Sequence, residues 1–195
     1  MPRTTATTGF FLAIVAALML FATTPVVADN TGNKDKFKLP AYAVEPKGTM
    51  EFDLGVKYAR GEGVPESDAK AAQLFTKAAK QGHPKAQFRL GLIYATGEGV
   101  PESHAKAVHW YTKAAKQGNA LAQSNLAMMY THGRGVPKDD VLAYAWINIA
   151  APQIGLHALL RKTSIAKSMT PTQIAEAQKL LLELWEKYVV PFQKE

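Results

Sequence analysis

Three stretches of this 195-residue chain are one unit repeated at a fixed interval. Leu54, Leu90 and Leu126 recur 36 residues apart, as do Tyr58, Tyr94 and Tyr130, and the loops Gly61-x-Gly63-Val64-Pro65, Gly97-x-Gly99-Val100-Pro101 and Gly133-x-Gly135-Val136-Pro137 keep the same step. A period between roughly 20 and 50 residues marks a supersecondary unit that cannot bury its apolar face alone and has to stack on its neighbours. The interval therefore limits the chain to a stacked array, and the extended surface of such an array favours binding over catalysis.

Each unit reads as helix, glycine loop, helix. In the second, helix A is expected from about Pro84 to Ala95, with proline at the favoured first position and Phe88, Leu90 or Leu92, and Tyr94 at helical spacing. Two glycines in the loop permit the positive backbone dihedrals of a tight reversal, and Pro101 stops helix A from running through it. Helix B is expected from Glu102 or Ser103 to just before Gly118, which suits a left-handed cap. Alanine pairs at Ala78-Ala79, Ala114-Ala115 and Ala150-Ala151 leave room for a neighbouring helix, and Leu74, Trp110 and Trp146, four residues earlier, are the expected large partners.

The flanks differ from the array. Arg3, the uncharged run from Gly9 to Ala22 and Val26-Val27-Ala28 have the layout of a secretory signal, with cleavage expected after Ala28. The apolar run is shorter than the roughly 20 residues that span a bilayer. Residues 29–47 are polar, hold Pro40 and Pro46, and read as a flexible leader. The repeats are expected over 48–83, 84–119 and 120–151, and residues 152–195 as a C-terminal helical cap. In that cap Leu156 to Ser168 forms one helix, Thr170-Pro171-Thr172-Gln173 is a capping box, and Ile174, Ala177, Leu181, Leu184, Trp185 and Tyr188 make a stripe that covers the last repeat. These readings place the mature protein in the periplasm or outside the cell. With no cysteine in the chain, no disulfide supports it there.

With Leu-Gly-x-x-Tyr-x-x-Gly-x-Gly-Val-Pro, then Lys-Ala-x-x-x-(Tyr/Phe)-x-x-Ala-Ala-x-x-Gly, on a 36-residue step, the chain resembles the Sel-1-like repeat family over about Gly48 to Ala151. The resemblance implies an all-α fold: a right-handed α/α solenoid of about three helix–loop–helix repeats with C-terminal capping helices. It also implies a non-enzymatic adaptor or regulator, often in the bacterial envelope, with a protein as partner.

Comparing the units with one another separates framework from working surface. Helix A varies at Asp53, Arg89 and Asn125, at Lys57, Ile93 and Met129, and at Arg60, Thr96 and His132. In α/α solenoids helix A lines the concave side, so these nine residues are the expected partner-binding groove, with Ile93 and Met129 as its apolar centre.

Chemistry finds little support in the sequence. Ser-x-x-Lys occurs at Ser67 and Lys70, Ser103 and Lys106, and Ser164 and Lys167, but Ser-Asp-Asn and Lys-Thr-Gly, which accompany it in serine acyl-transfer enzymes, are missing. A cell-wall-active enzyme or muropeptide binder is the alternative those three copies raise. His83, His104, His109, His132 and His157 show no metal-ligand spacing and read as loop or surface residues. The formal charge of +7 is spread along helices with no stacking platform for bases, so no nucleic acid, metal or cofactor is expected, and the protein reads as a monomer.

Overall fold

The computed structural model describes residues 45–188. The expected signal, its cleavage site and the leader up to residue 44 lie outside the described residues, as do residues 189–195. Eight helices and no strand occur among the described residues: α1 (Thr49–Arg60), α2 (Asp68–Lys80), α3 (Pro84–Thr96), α4 (His104–Lys116), α5 (Ala120–His132), α6 (Asp140–Ile154), α7 (Leu156–Ala166) and α8 (Pro171–Tyr188). Each packs on the next as far as α7, and α8 lies on α6. The result is an all-α solenoid of three helix pairs with two further helices behind the last.

Local sequence sets the helix ends. Ser67, Ser103 and Asp139 cap α2, α4 and α6, each accepting a hydrogen bond from the amide three residues on, at 3.4, 3.4 and 2.8 Å. The amides of these same three residues donate to the carbonyls of Tyr58, Tyr94 and Tyr130, which closes each glycine loop onto helix A of its own unit. Between repeats, the amides of Gly82 and His83 donate to Ala79 and Ala78, and those of Gly118 and Asn119 to Ala115 and Ala114, all at 3.1 Å. This is a Schellman ending, with glycine in the left-handed position. Thr170 and Gln173 form the reciprocal capping box, at 2.9 and 3.2 Å.

Helix pairs close through glycine and aromatic residues. A Cβ on Gly55 would stand 2.8 Å from the Phe75 ring, and one on Gly91 would stand 2.5 Å from the Tyr111 ring. The third pair has Ala127 in place of the glycine and the smaller Ile147 in place of the ring. Leu74 and Trp110, expected as the large partners, are only half-buried, whereas Phe75, Tyr111 and Ile147, one residue later, are buried. One residue is about 100° around a helix, enough to move a side chain from the interface to its flank.

The repeats also lock through their loops. A Cβ on Gly99 would lie 2.6 Å from the Asp68 carbonyl carbon, and one on Gly135 would collide with the backbone of His104 and Ala105. Gly63, the same position in the first unit, has nothing within 4 Å. Met50 and Leu54 on α1 are likewise exposed, although their equivalents Ala86, Leu90, Ala122 and Leu126 are buried.

The tail keeps more of the repeat than the sequence suggested. On the 36-residue step α7 is a fourth helix A: Ala158 and Ile165 are buried where Ala86 and Ile93, and Ala122 and Met129, are buried before them. The last helix of the third unit runs past the expected repeat boundary at residue 151 to Ile154, with Pro152 inside it. Pro152 has no amide hydrogen to donate to the Asn148 carbonyl, so this helix gives up one bond of its ladder there. All six stripe residues of α8 join the core around α6.

Candidate functional site

The C-terminal halves of α1 and α3, together with the start and middle of α2, enclose a cleft of about 320 Å³. Its walls are apolar: Val56 and Ala59 from α1, Ala71 and Phe75 from α2, Leu92 and Ile93 from α3. Its rim is charged and polar, with Arg60, Arg89, Thr96, Asp68 and Glu98. Arg60 is engaged by Glu62 at 3.3 Å, and the Thr96 hydroxyl donates to the Leu92 carbonyl at 3.1 Å. Arg89 makes no ion pair among the described residues. An apolar floor ringed by donors and both signs of charge can seat an apolar side chain and fix the backbone on either side of it.

This cleft gathers four of the nine predicted groove residues: Arg60, Arg89, Ile93 and Thr96. Asp53 lines a different hollow, with Phe52, His83, Lys85 and Asn119, and His132 lines a small one beside α7, with Arg161 and Ser164. Lys57 is exposed and lines none of the three; Asn125 and Met129 line none either. The nine residues therefore do not form one continuous stripe around a cavity.

Ile93 and Met129 require a correction. Both are only 7% exposed and belong to the hydrophobic core, because helix A packs on helix B of its own unit and on helix B of the unit before. They are floor and framework, not an exposed apolar centre. Between the second and third units the positions equivalent to Phe75 and Arg89 are Tyr111 and Asn125. Burial pushes the Tyr111 phenol up to about 12, against a hydrogen bond from Asn125 that favours the ionised form. The tyrosine at this position of the second unit is a phenylalanine in the first.

His83 also departs from the sequence reading. It is buried, stacks on Phe52 with centroids 4.6 Å apart, and caps α3 by accepting from the Ala86 amide on Nδ1 at 3.2 Å. Asn119 caps α5 in the equivalent place, which is the signal that could have identified the histidine as a cap. Burial, helped by Lys85, holds its pKa below the usual histidine value.

A ladder of side-chain amides escaped the sequence reading too. Gln81 Nε2 donates to Glu51 at 3.0 Å and Gln117 Nε2 to Gln87 at 2.7 Å, while Gln87 and Gln123 donate to the carbonyls of Ala79 and Ala115. The signal was a polar residue kept on the buried face of helix A.

The first two Ser-x-x-Lys copies have structural roles. Ser67 and Ser103 are caps, and the ammonium groups of Lys70 and Lys106 sit 5.0 and 5.1 Å from the ring centres of Tyr58 and Tyr94. Neither lysine is directed at its serine hydroxyl, as general-base activation would require. Among the described residues no group of three histidines, cysteines or carboxylates could hold a metal ion, and no helix is long and apolar enough to cross a membrane.

Comparison with known proteins agrees with the architecture. The Sel1 repeat model matches residues 50–83, 84–119 and 120–151. The crystal structure of a protective antigen present in uropathogenic Escherichia coli strains, displaying an SLR fold, is 28% identical with a TM-score of 0.62, over 74% of this chain and 39% of that one. The chain thus spans well under half of that protein's length. The crystal structure of a Sel1 repeat protein from Oxalobacter formigenes is 37% identical with a TM-score of 0.56, over 60% of this chain and 88% of that one. A search of the curated proteins found no match.

Proposed function

Because this chain belongs to the Sel1 repeat family, whose members are generally protein–protein interaction scaffolds, we propose that it holds a segment of a partner protein in the cleft between α1, α2 and α3. The observation that carries this reading is the cleft itself: an open apolar floor of Phe75, Leu92 and Ile93 beneath the unpaired Arg89 and the Thr96 hydroxyl. An extended strand or a helix turn that places one apolar side chain on that floor gains affinity from burial and register from the rim. The layout of residues 1–28 supports an exported protein, so the proposed partner is an envelope or secreted protein.

In vivo crosslinking and capture test the reading. The parent should retain a discrete partner that Arg89→Glu loses while its unfolding midpoint stays unchanged. Equal capture by both forms would move the binding surface away from the cleft.

A further inference from the structure

The outward faces of α2 and α4 carry charge of one sign. Lys70, Lys77 and Lys80 on α2 recur as Lys106, Lys113 and Lys116 on α4, and all six are exposed. At 1.5 Å per residue each trio runs about 15 Å along its helix. The exposed residues between them on these faces are Gln73 and His109. The one carboxylate in α2 is Asp68, in its first turn, and α4 has none. None of the six lysines is in an ion pair among the described residues. Glu51 on α1, which lies within the field of Lys77, is hydrogen-bonded by Gln81, and α8 contributes Glu183 and Glu186 beside Lys179 and Lys187.

Unpaired cations of one sign at three- and seven-residue steps along one helix, about 5 and 10 Å of rise, repel within a Debye length of about 10 Å, so each trio is electrostatically incomplete alone. Two half-buried aromatic rings stand among the lysines: Lys113 lies 4.8 Å from the Trp110 ring centre and Lys116 lies 5.5 Å from that of Tyr188. Lysine flanking tryptophan and tyrosine suits a bilayer–water interface, where the ring sits at headgroup level.

We propose that this face docks on an anionic bilayer surface, its ammonium groups against lipid phosphates. Protein interfaces are depleted in lysine and favour arginine, whose planar fork makes directed contacts, and no arginine stands on α2 or α4. None of the three clefts is lined by any of the six lysines. An open array of hydrated point charges fits diffuse attraction to a charged plane, worth roughly a fivefold gain in partition per lysine.

Sedimentation of the chain purified from its host, with phosphatidylcholine vesicles containing or lacking phosphatidylglycerol, tests this. The parent should bind the anionic vesicles in preference and release them near 1 M salt, where the Debye length falls to about 3 Å. The variant Lys77→Gln/Lys80→Gln/Lys113→Gln/Lys116→Gln should lose binding by roughly a hundredfold or more. If it fails to match the parent's unfolding midpoint, Lys80→Gln/Lys116→Gln serves instead, with an expected loss of about twentyfold. Equal binding by parent and variant overturns the proposal. So does binding to polyglutamate without binding to vesicles, which would assign the face to an acidic protein.

Discussion

The ring of Tyr111 occupies the space a side chain on Gly91 would need: a Cβ there would lie 2.5 Å from Cδ1. The helix pair closes because one residue has no side chain and the other is large and flat. The third unit reaches the same closure with Ala127 and Ile147. Gly91→Ala should therefore cost about 1–3 kcal/mol of stability by overpacking, and Tyr111→Ile alone should cost a comparable amount through lost volume. The double variant, which copies the chain's own third pair, should lose less than the sum. Urea unfolding of the four proteins measures the coupling; additive losses would contradict this packing relationship.

Loop glycines offer a comparison within one chain. Gly63 and Gly99 have φ of 72° and 70°, so alanine is strained at both, by roughly 1–2 kcal/mol. Only Gly99 also faces a neighbouring backbone, at Asp68 and Ala69. Gly99→Ala should thus destabilise distinctly more than Gly63→Ala. Equal unfolding midpoints for the two variants would mean that the loop does not hold adjacent repeats together.

Acid should weaken the fold through His83. Its pKa is lowered in the folded state, because burial disfavours the imidazolium and a protonated Nδ1 cannot accept from Ala86. The unfolded chain, with a histidine near 6.5, then binds the proton more readily. Stability contributed by neutral His83 is complete above about pH 6.5, falls as the pH drops through that value, and levels off below the folded pKa. His83→Asn, which copies the cap at Asn119, should flatten this loss between neutral and mildly acid pH. Chemical denaturation across that interval would show an undiminished slope if another group were responsible.

Ser103→Ala should remove a helix cap and cost about 1 kcal/mol. A fluorescent β-lactam should leave no adduct at Ser67, Ser103 or Ser164. Covalent labelling at Ser67 or Ser103 would contradict their capping role, and labelling at any of the three would restore the acyl-transfer reading.

The array was legible in the sequence because its determinants are local and recur: glycine and proline at the loops, serine at the caps, alanine pairs on helix B. The site was less legible. Helix A touches two helices B, so a position that varies between units can still be buried, as Ile93 and Met129 are. His83 was misread because histidine is an uncommon cap, although Asn119 at the same step marks the role. The choice of Leu74 and Trp110 over Phe75 and Tyr111 missed that Gly55 and Gly91 leave the space those rings fill. The cleft itself is built from side chains of two adjacent units, a property of packing that no single unit displays.

The most direct test of a partner-binding cleft between α1 and α3 is photocrosslinking in the native host from a reactive residue at position 96, on the rim, beside a control at position 73, on the outward face of α2. A discrete adduct with another protein from position 96, absent from position 73, is the expected result. Adducts from position 73 alone, or equally from both, would contradict the assignment of the site to the cleft.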